Sequence, residues 1–200
     1  ILLCELYAKQ CDIIFNVKKS VYMCFQPKGT TFNTPIIYLN GRIIDFVTDY
    51  MYLGVIICNS GMDDAAIAAQ IRSLYTRGNV RIKNFKNCTD DVKCQLFKTY
   101  CSSFYCCQLW CDFNVESSRR LRVAYNRIFR VLMNLERRIS MSATFIEYHV
   151  LHSDIILRKA MYSCMERVTL SNNVIVQAIV NSSHYFNSSI FKHWSKNLYL

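Results

Sequence analysis

Four groups of residues in this 200-residue chain have the types and spacing that chemistry requires. Lys19, in the run Phe15-Asn16-Val17-Lys18-Lys19-Ser20, stands just before an apolar segment, where an ammonium can face a phosphate. The alternative is a lysine that solvates a helix-to-strand turn. Two adjacent carboxylate pairs, Asp63-Asp64 and Asp90-Asp91, have the composition of a divalent-metal site. Both sit at predicted helix starts, where acids meet the positive end of the helix dipole, so capping is the expected role. Cys107 and Cys111 share a helical face and His149-x-x-His152 follows, but a zinc site needs a second ligand pair at matching spacing, and none follows. No metal ligand set is therefore expected. Arg119-Arg120-x-Arg122 places three guanidiniums at a predicted helix N-terminus, where backbone amides add to a phosphate seat.

Charge is concentrated around that last group. The chain carries +10 formally, and residues 70 to 138 hold fourteen Lys/Arg against five Asp/Glu, a net of +9. Arg72, Arg77, Arg81, Lys83, Arg119, Arg120, Arg122, Arg127 and Arg130 are the candidate contacts of a surface facing a polyanion. Ordinary solvated helix faces are the competing account. Aromatics lie mostly on apolar stripes, as core and not as base-stacking platforms. Apolar residues make up 52% of the chain, which excludes disorder. Eleven cysteines, an odd number that includes the adjacent Cys106-Cys107, read as reduced thiols of an intracellular protein, nuclear or cytoplasmic. The longest apolar run, Tyr50 to Cys58, is far short of the ~20 residues that span a bilayer, and the first residues are too few for a signal peptide, so no membrane partner is expected.

The elements that must position these residues change character near residue 61. Leu2, Leu3, Leu6 and Ile13 predict a helix to about Asp12, followed by a strand Val21 to Phe25 closed by Pro27-Lys28-Gly29. Ile36 to Leu39, Asn40-Gly41 and Arg42 to Asp45 predict a two-residue type I′ hairpin. Another strand is expected from Tyr50 to Ile57. Beyond Gly61 the period is helical. The first stripe is Ile67, Ile71, Leu74, Gly78, Ile82 and Phe85. A second helix, begun by Thr89-Asp90-Asp91, turns Val92, Leu96, Tyr100, Phe104 and Cys107 inward. A third, capped by Ser117 or Ser118, carries Leu121, Tyr125, Ile128, Leu132 and Leu135. Three such stripes must bury one another in an antiparallel bundle. The expected fold is α+β, a small β-hairpin unit (1–60), a helical domain (61–138) and a helical extension (139–200).

The order Phe15-Asn16-x-x-Lys19-Ser20, strand, Asn40-Gly41 and Tyr52-Leu53-Gly54 resembles the F-N-x-x-K-[ST] and Y-L-G blocks of non-LTR (LINE-type) retrotransposon reverse transcriptases. Val92-Lys93, Leu96-Phe97, Tyr100-Cys101, Leu109-Trp110 and Ala124 to Arg130 fall where that family carries its post-palm helices. The resemblance covers residues 1 to about 135. It implies the end of a palm followed by a thumb, from a parent that performs RNA-directed DNA synthesis with Mg²⁺ on an RNA template and a DNA primer. In that frame Lys19 is the motif D lysine, a general acid for pyrophosphate, and Tyr52, Leu53 and Gly54 are primer-grip-like, Gly54 admitting close backbone approach or forming a strand bulge. The parent's Ala-Asp-Asp block lies upstream of F-N-x-x-K, and fourteen residues before Phe15 are too few to contain it. The chain reads as a fragment without its own cofactor. Two rivals stay open: a non-enzymatic basic helical nucleic-acid-binding module, and a helical protein-interaction domain.

Paired metals supply much of the transition-state stabilisation in nucleotidyl transfer. The purified chain is therefore expected not to extend a primed RNA template with deoxynucleotides and Mg²⁺ or Mn²⁺. Extension above a no-protein blank contradicts that expectation.

Overall fold

The computed structural model describes residues 1–25 and 33–198 and divides at Met62/Asp63 into two units. Pro27-Lys28-Gly29 lies outside the described residues. The first unit holds α1 (Leu2–Gln10), a 3-10 turn (Val17–Lys19), β1 (Val21–Tyr22), β2 (Tyr38–Leu39), β3 (Arg42–Ile43), β4 (Asp45–Phe46), β5 (Asp49–Tyr52) and β6 (Val55–Cys58). They form three two-stranded sheets: β1 with β4 in parallel, β2 with β3 and β5 with β6 antiparallel. Asn40 and Gly41 have φ of 50° and 71°, as the type I′ turn requires.

Three local expectations change here. The strand of Val21 to Phe25 is paired only over Val21–Tyr22. The single strand of Tyr50 to Ile57 is instead a second hairpin, because Leu53 and Gly54 both take positive φ, 48° and 80°, and reverse the chain. Gly54 therefore serves a turn and not a bulge. The apolar residues Leu2, Leu3 and Leu6 of α1 are exposed and only Ala8 of that helix is buried; the helix stops before Asp12, whose φ is 54°, so Ile13 leaves its face.

The second unit is helical: α2 (Asp64–Asn84), α3 (Asp90–Cys101), a 3-10 turn (Cys107–Leu109), α4 (Val115–Leu132), α5 (Met141–Glu147), α6 (Ser153–Thr169), α7 (Val174–Val180) and α8 (Ser189–Leu198). The whole is α+β, hairpins followed by helices. The Arg81 guanidinium lies over Tyr100 and Arg77 bonds Ser103, so α3 runs antiparallel to α2. Asp64 meets Asn114 and Ser117 while Gly78 meets Ile128, so α2 and α4 run parallel. Among the described residues, no helix is long and apolar enough to cross a membrane.

Aromatic rings fill the centre of this unit. Phe97 stands 4.9 Å from Tyr125 and 4.8 Å from Phe129, both edge-on, the geometry that ring quadrupoles favour. The Tyr125 hydroxyl, fully buried, donates to the Leu151 carbonyl at 2.9 Å and shares a hydrogen bond with Ser102 at 3.0 Å, so its burial leaves no polar atom unpaired. The inward face of α3 is Cys94, Phe97 and Cys101, a rotation from the expected stripe: Val92 and Tyr100 are exposed and Leu96 is half-buried. Phe104 and Cys107 are buried, but from beyond the end of α3, where Cys106 turns the chain with φ of 53°.

Residues 139–200 are not set apart from 61–138. Phe145 packs on Phe129 at 5.2 Å and Tyr125 at 5.6 Å, and Met141 and Val150 join the same core. Trp194, 2% exposed, donates its indole N–H to the Gln108 carbonyl at 2.9 Å. The stripe of α4 is wide enough, with Ala124 and Phe129 beside Tyr125 and Ile128, to need cover on a second side.

Gly78 is a point of close approach between α2 and α4. A Cβ built there stands 2.5 Å from Ile128 Cγ2 and 3.1 Å from both Cγ1 and Cδ1. Gly78→Ala is expected to cost about 1–3 kcal/mol by overpacking, offset by ~1 kcal/mol of helix propensity. Urea unfolding should show a net loss that Ile128→Val in the same chain partly recovers. A variant as stable as the parent means that the helices do not approach this closely.

Candidate nucleic-acid interface

The motif containing Lys19 is built around one carbonyl. The Asn16 oxygen accepts from the Lys19 and Ser20 amides and from Ser20 Oγ, each at 3.0 Å, and this closes the 3-10 turn that carries Lys19. The turn feeds β1, and Lys19 comes to line an open cleft of about 460 Å³ with Phe25, Tyr50 and Tyr52. Two residues from separate sequence blocks, Lys19 and Tyr52, thus share one site within the first unit. Phe25, Tyr50 and Tyr52 are 62%, 44% and 58% exposed, so aromatic surface is open beside an ammonium. That combination suits a stacked base and its phosphate. Leu53 and Gly54 sit at the tip of the adjoining hairpin. Phe25 and Tyr50 are not among the sequence-derived site residues; the pairing of β5 with β6 places Tyr50 there, while Phe25 lies beyond the end of β1.

In the helical unit the nine nominated cations separate by what holds them. Arg77 donates to Ser103 Oγ at 3.2 Å and to its carbonyl at 3.1 Å; Arg81 stacks 3.7 Å above the Tyr100 ring; Arg130 donates to the Ile139 carbonyl at 3.2 Å. Arg119 is held by Glu116 through two contacts of 2.7 and 2.8 Å, and the guanidinium holds that carboxyl below its usual range. Arg122 pairs with Asp154 at 2.9 Å. Arg72, Lys83, Arg120 and Arg127 are exposed, and their side chains have no hydrogen bond or ion pair among the described residues.

The phosphate seat expected at Arg119-Arg120-x-Arg122 is therefore corrected. α4 begins at Val115 with Asn114 as N-cap, not at Ser117 or Ser118, so these arginines lie beyond its first turn and away from the unpaired amides. Asn114, two residues before Glu116, was the available signal. The start of α4 is already occupied: the Asp64 carboxylate accepts from the Asn114 amide at 3.1 Å, from Asn114 Nδ2 at 3.0 Å and from Ser117 Oγ.

Asp63 acts alongside it. One of its oxygens accepts from the Cys111 and Asp112 amides at 2.8 and 3.0 Å, and its own amide donates to the Asp112 carbonyl at 2.7 Å. Asp63 is the N-cap residue of α2 but makes no side-chain cap bond; the pair instead clamps residues 111–117. Carboxylates committed to amides and a hydroxyl in this way do not fit a pair of Mg²⁺ ions. Asp90 pairs with the buried Lys93 at 3.3 Å. Among the described residues no three His, Cys, Asp or Glu side chains are grouped to hold a metal. Cys107 is a core residue whose thiol burial pushes up to about 11, and His152 caps α6, accepting from the Asp154 amide at 3.3 Å.

No family model matches the sequence, and neither a curated protein nor a solved structure matches it.

Burial pushes the Asp63 carboxyl above its ordinary 3.8, and its two amide donors offset this in part. A folded-state value above the unfolded one means that the fold binds the proton more tightly. This group's contribution to stability therefore rises as pH falls through the folded value toward 3.8. Asp63→Asn keeps the acceptor and removes the buried charge; it should flatten that pH dependence with little loss at pH 7. Asp63→Ala strands two amides and should cost ~1–3 kcal/mol. Denaturant titrations of both variants across pH 3–7 check this; equal losses would remove the clamp.

Proposed function

We propose that the chain is the palm end and thumb-like part of a non-LTR retrotransposon reverse transcriptase, and that it contributes template-primer binding without the catalytic aspartates. The observation that carries this reading is the cleft shared by Lys19 and Tyr52, which brings together the two blocks on which the resemblance rests. In the complete polymerase Lys19 would stand as general acid for the leaving pyrophosphate, and Tyr52 would lie against the primer. The partners are an RNA template and a DNA primer, held through phosphates by shape and charge and not by base sequence. Mg²⁺ belongs to the parent's upstream carboxylates. The setting is intracellular, nuclear or cytoplasmic. The eleven cysteines, none of them in a disulfide, are compatible with that.

A specific observation favours the protein-interaction reading as second: Leu170, Val174, Ile175 and Ile179, around α7, are 71%, 82%, 72% and 55% exposed. A chain that self-associates and ignores nucleic acid at low salt would make it first.

The four unpaired cations, not the Arg119-Arg122 group, are expected to dominate binding. Replacing Arg72, Lys83, Arg120 and Arg127 with Ala should weaken binding to an RNA/DNA hybrid alike for all sequences. The slope of log affinity against log salt should fall by up to ~0.9 for each cation that meets a phosphate. Arg119→Ala/Arg122→Ala should change the slope less. Titrations at several salt concentrations decide it: no binding by the parent chain overturns the proposed function, and an unchanged slope in the quadruple variant moves the surface elsewhere.

A further inference from the structure

Between α4 and α5 the residues Glu136 to Ser140 are all exposed and belong to no helix or strand. Arg137-Arg138-Ile139-Ser140 places two guanidiniums three and two residues ahead of a hydroxyl, with the exposed Ile139 before it and the buried Met141, first residue of α5, after it. Arg137, Arg138 and the Ser140 side chain have no hydrogen bond or ion pair among the described residues. Unpaired, solvent-facing arginines at this spacing match the acidic peptide groove of arginine-directed protein kinases, which choose substrates by charge pattern. Elsewhere in the second unit the Ser103 hydroxyl bonds Arg77 and the Ser117 hydroxyl bonds Asp64.

We infer that Ser140 is a phosphorylation site for an arginine-directed serine/threonine kinase, and that phosphate there weakens the nucleic-acid surface. The Ser140 hydroxyl oxygen attacks the γ-phosphorus of Mg-bound ATP supplied with the kinase. The new O–P bond forms as the bond from that phosphorus to the β–γ bridging oxygen breaks, ADP leaves, and the hydroxyl proton passes to the kinase's catalytic carboxylate. The product adds a charge of about −2 beside Arg137 and Arg138. It also adds it next to Ile139, whose carbonyl Arg130 holds at 3.2 Å. Two arginines that were open to a polyanion are then paired within the chain. The first half of the inference stands by itself, and the second rests on the nucleic-acid reading above.

The native chain is incubated with the catalytic subunit of cyclic-AMP-dependent protein kinase and labelled ATP, and the site is located by mass spectrometry. Label at Ser140 is expected, lost in Ser140→Ala, kept in Ser140→Thr, and acquired at least tenfold more slowly in Arg137→Ala/Arg138→Ala. Label at Ser140 only after denaturation, or at an unchanged rate in the double arginine variant, overturns the site. The phosphorylated chain should then bind the RNA/DNA hybrid more weakly, with a salt slope lower by up to ~1.8 for the two arginines removed. Unchanged binding overturns the regulatory half. Failure of the unphosphorylated chain to bind overturns the proposed function and not the modification site.

Discussion

The helical unit depends on the contact between Gly78 and Ile128. With no Cβ at residue 78, α2 and α4 approach until the Ile128 side chain fills the space that any other residue would claim. Parallel neighbours cannot be joined by a short turn, so α3 must carry the chain back in the opposite direction, and its Phe97 becomes the ring on which Tyr125 and Phe129 converge. The same closeness brings the starts of α2 and α4 together, where Asp63 and Asp64 satisfy the segment that enters α4. A carboxylate pair whose composition suggests metal chemistry is thereby turned to backbone hydrogen bonding.

This packing also redistributes the charge. Five of the nine cations nominated for polyanion binding are engaged within the protein: Arg77 and Arg130 on carbonyls, Arg81 on an aromatic face, Arg119 and Arg122 on carboxylates. Exposed ion pairs of the last kind add little stability. They do, however, lower the net field that those arginines present. Of the nine, Arg72, Lys83, Arg120 and Arg127 stay open, as do Arg137 and Arg138 beside Ser140. A dense run of basic residues in sequence is thus a poor guide to which of them stay unpaired in the fold.

In the first unit two short hairpins do most of the positioning. Asn40-Gly41 and Leu53-Gly54 both reverse the chain through consecutive positive φ angles, but only the first advertises it. Leucine has no local preference for that conformation, so Leu53 is held there by the pairing of β5 with β6 on either side. The pairing in turn sets Tyr50 and Tyr52 at the cleft that Lys19 enters from its 3-10 turn.

What the amino-acid sequence determined by itself was local. The α+β class, the Asn40-Gly41 hairpin, the helical period beyond Gly61 and the stripe of α4 all follow from period and turn chemistry, which act over a few residues. The resemblance in the Phe15 and Tyr52 blocks belongs to this level too. Tertiary structure decided the rest. The inward face of α3, the second hairpin, the start of α4 at Asn114, the inclusion of Phe145 and Trp194 in one core, and the partners of each arginine were not legible. Each depends on atoms far apart in sequence: Phe97 turns inward because Phe129 is there to meet it, and Arg122 is neutralised because Asp154 returns beside it. Hydrophobic period shows that a face must be covered but not by what, and charge count shows how many cations exist but not which remain unpaired once the chain has folded.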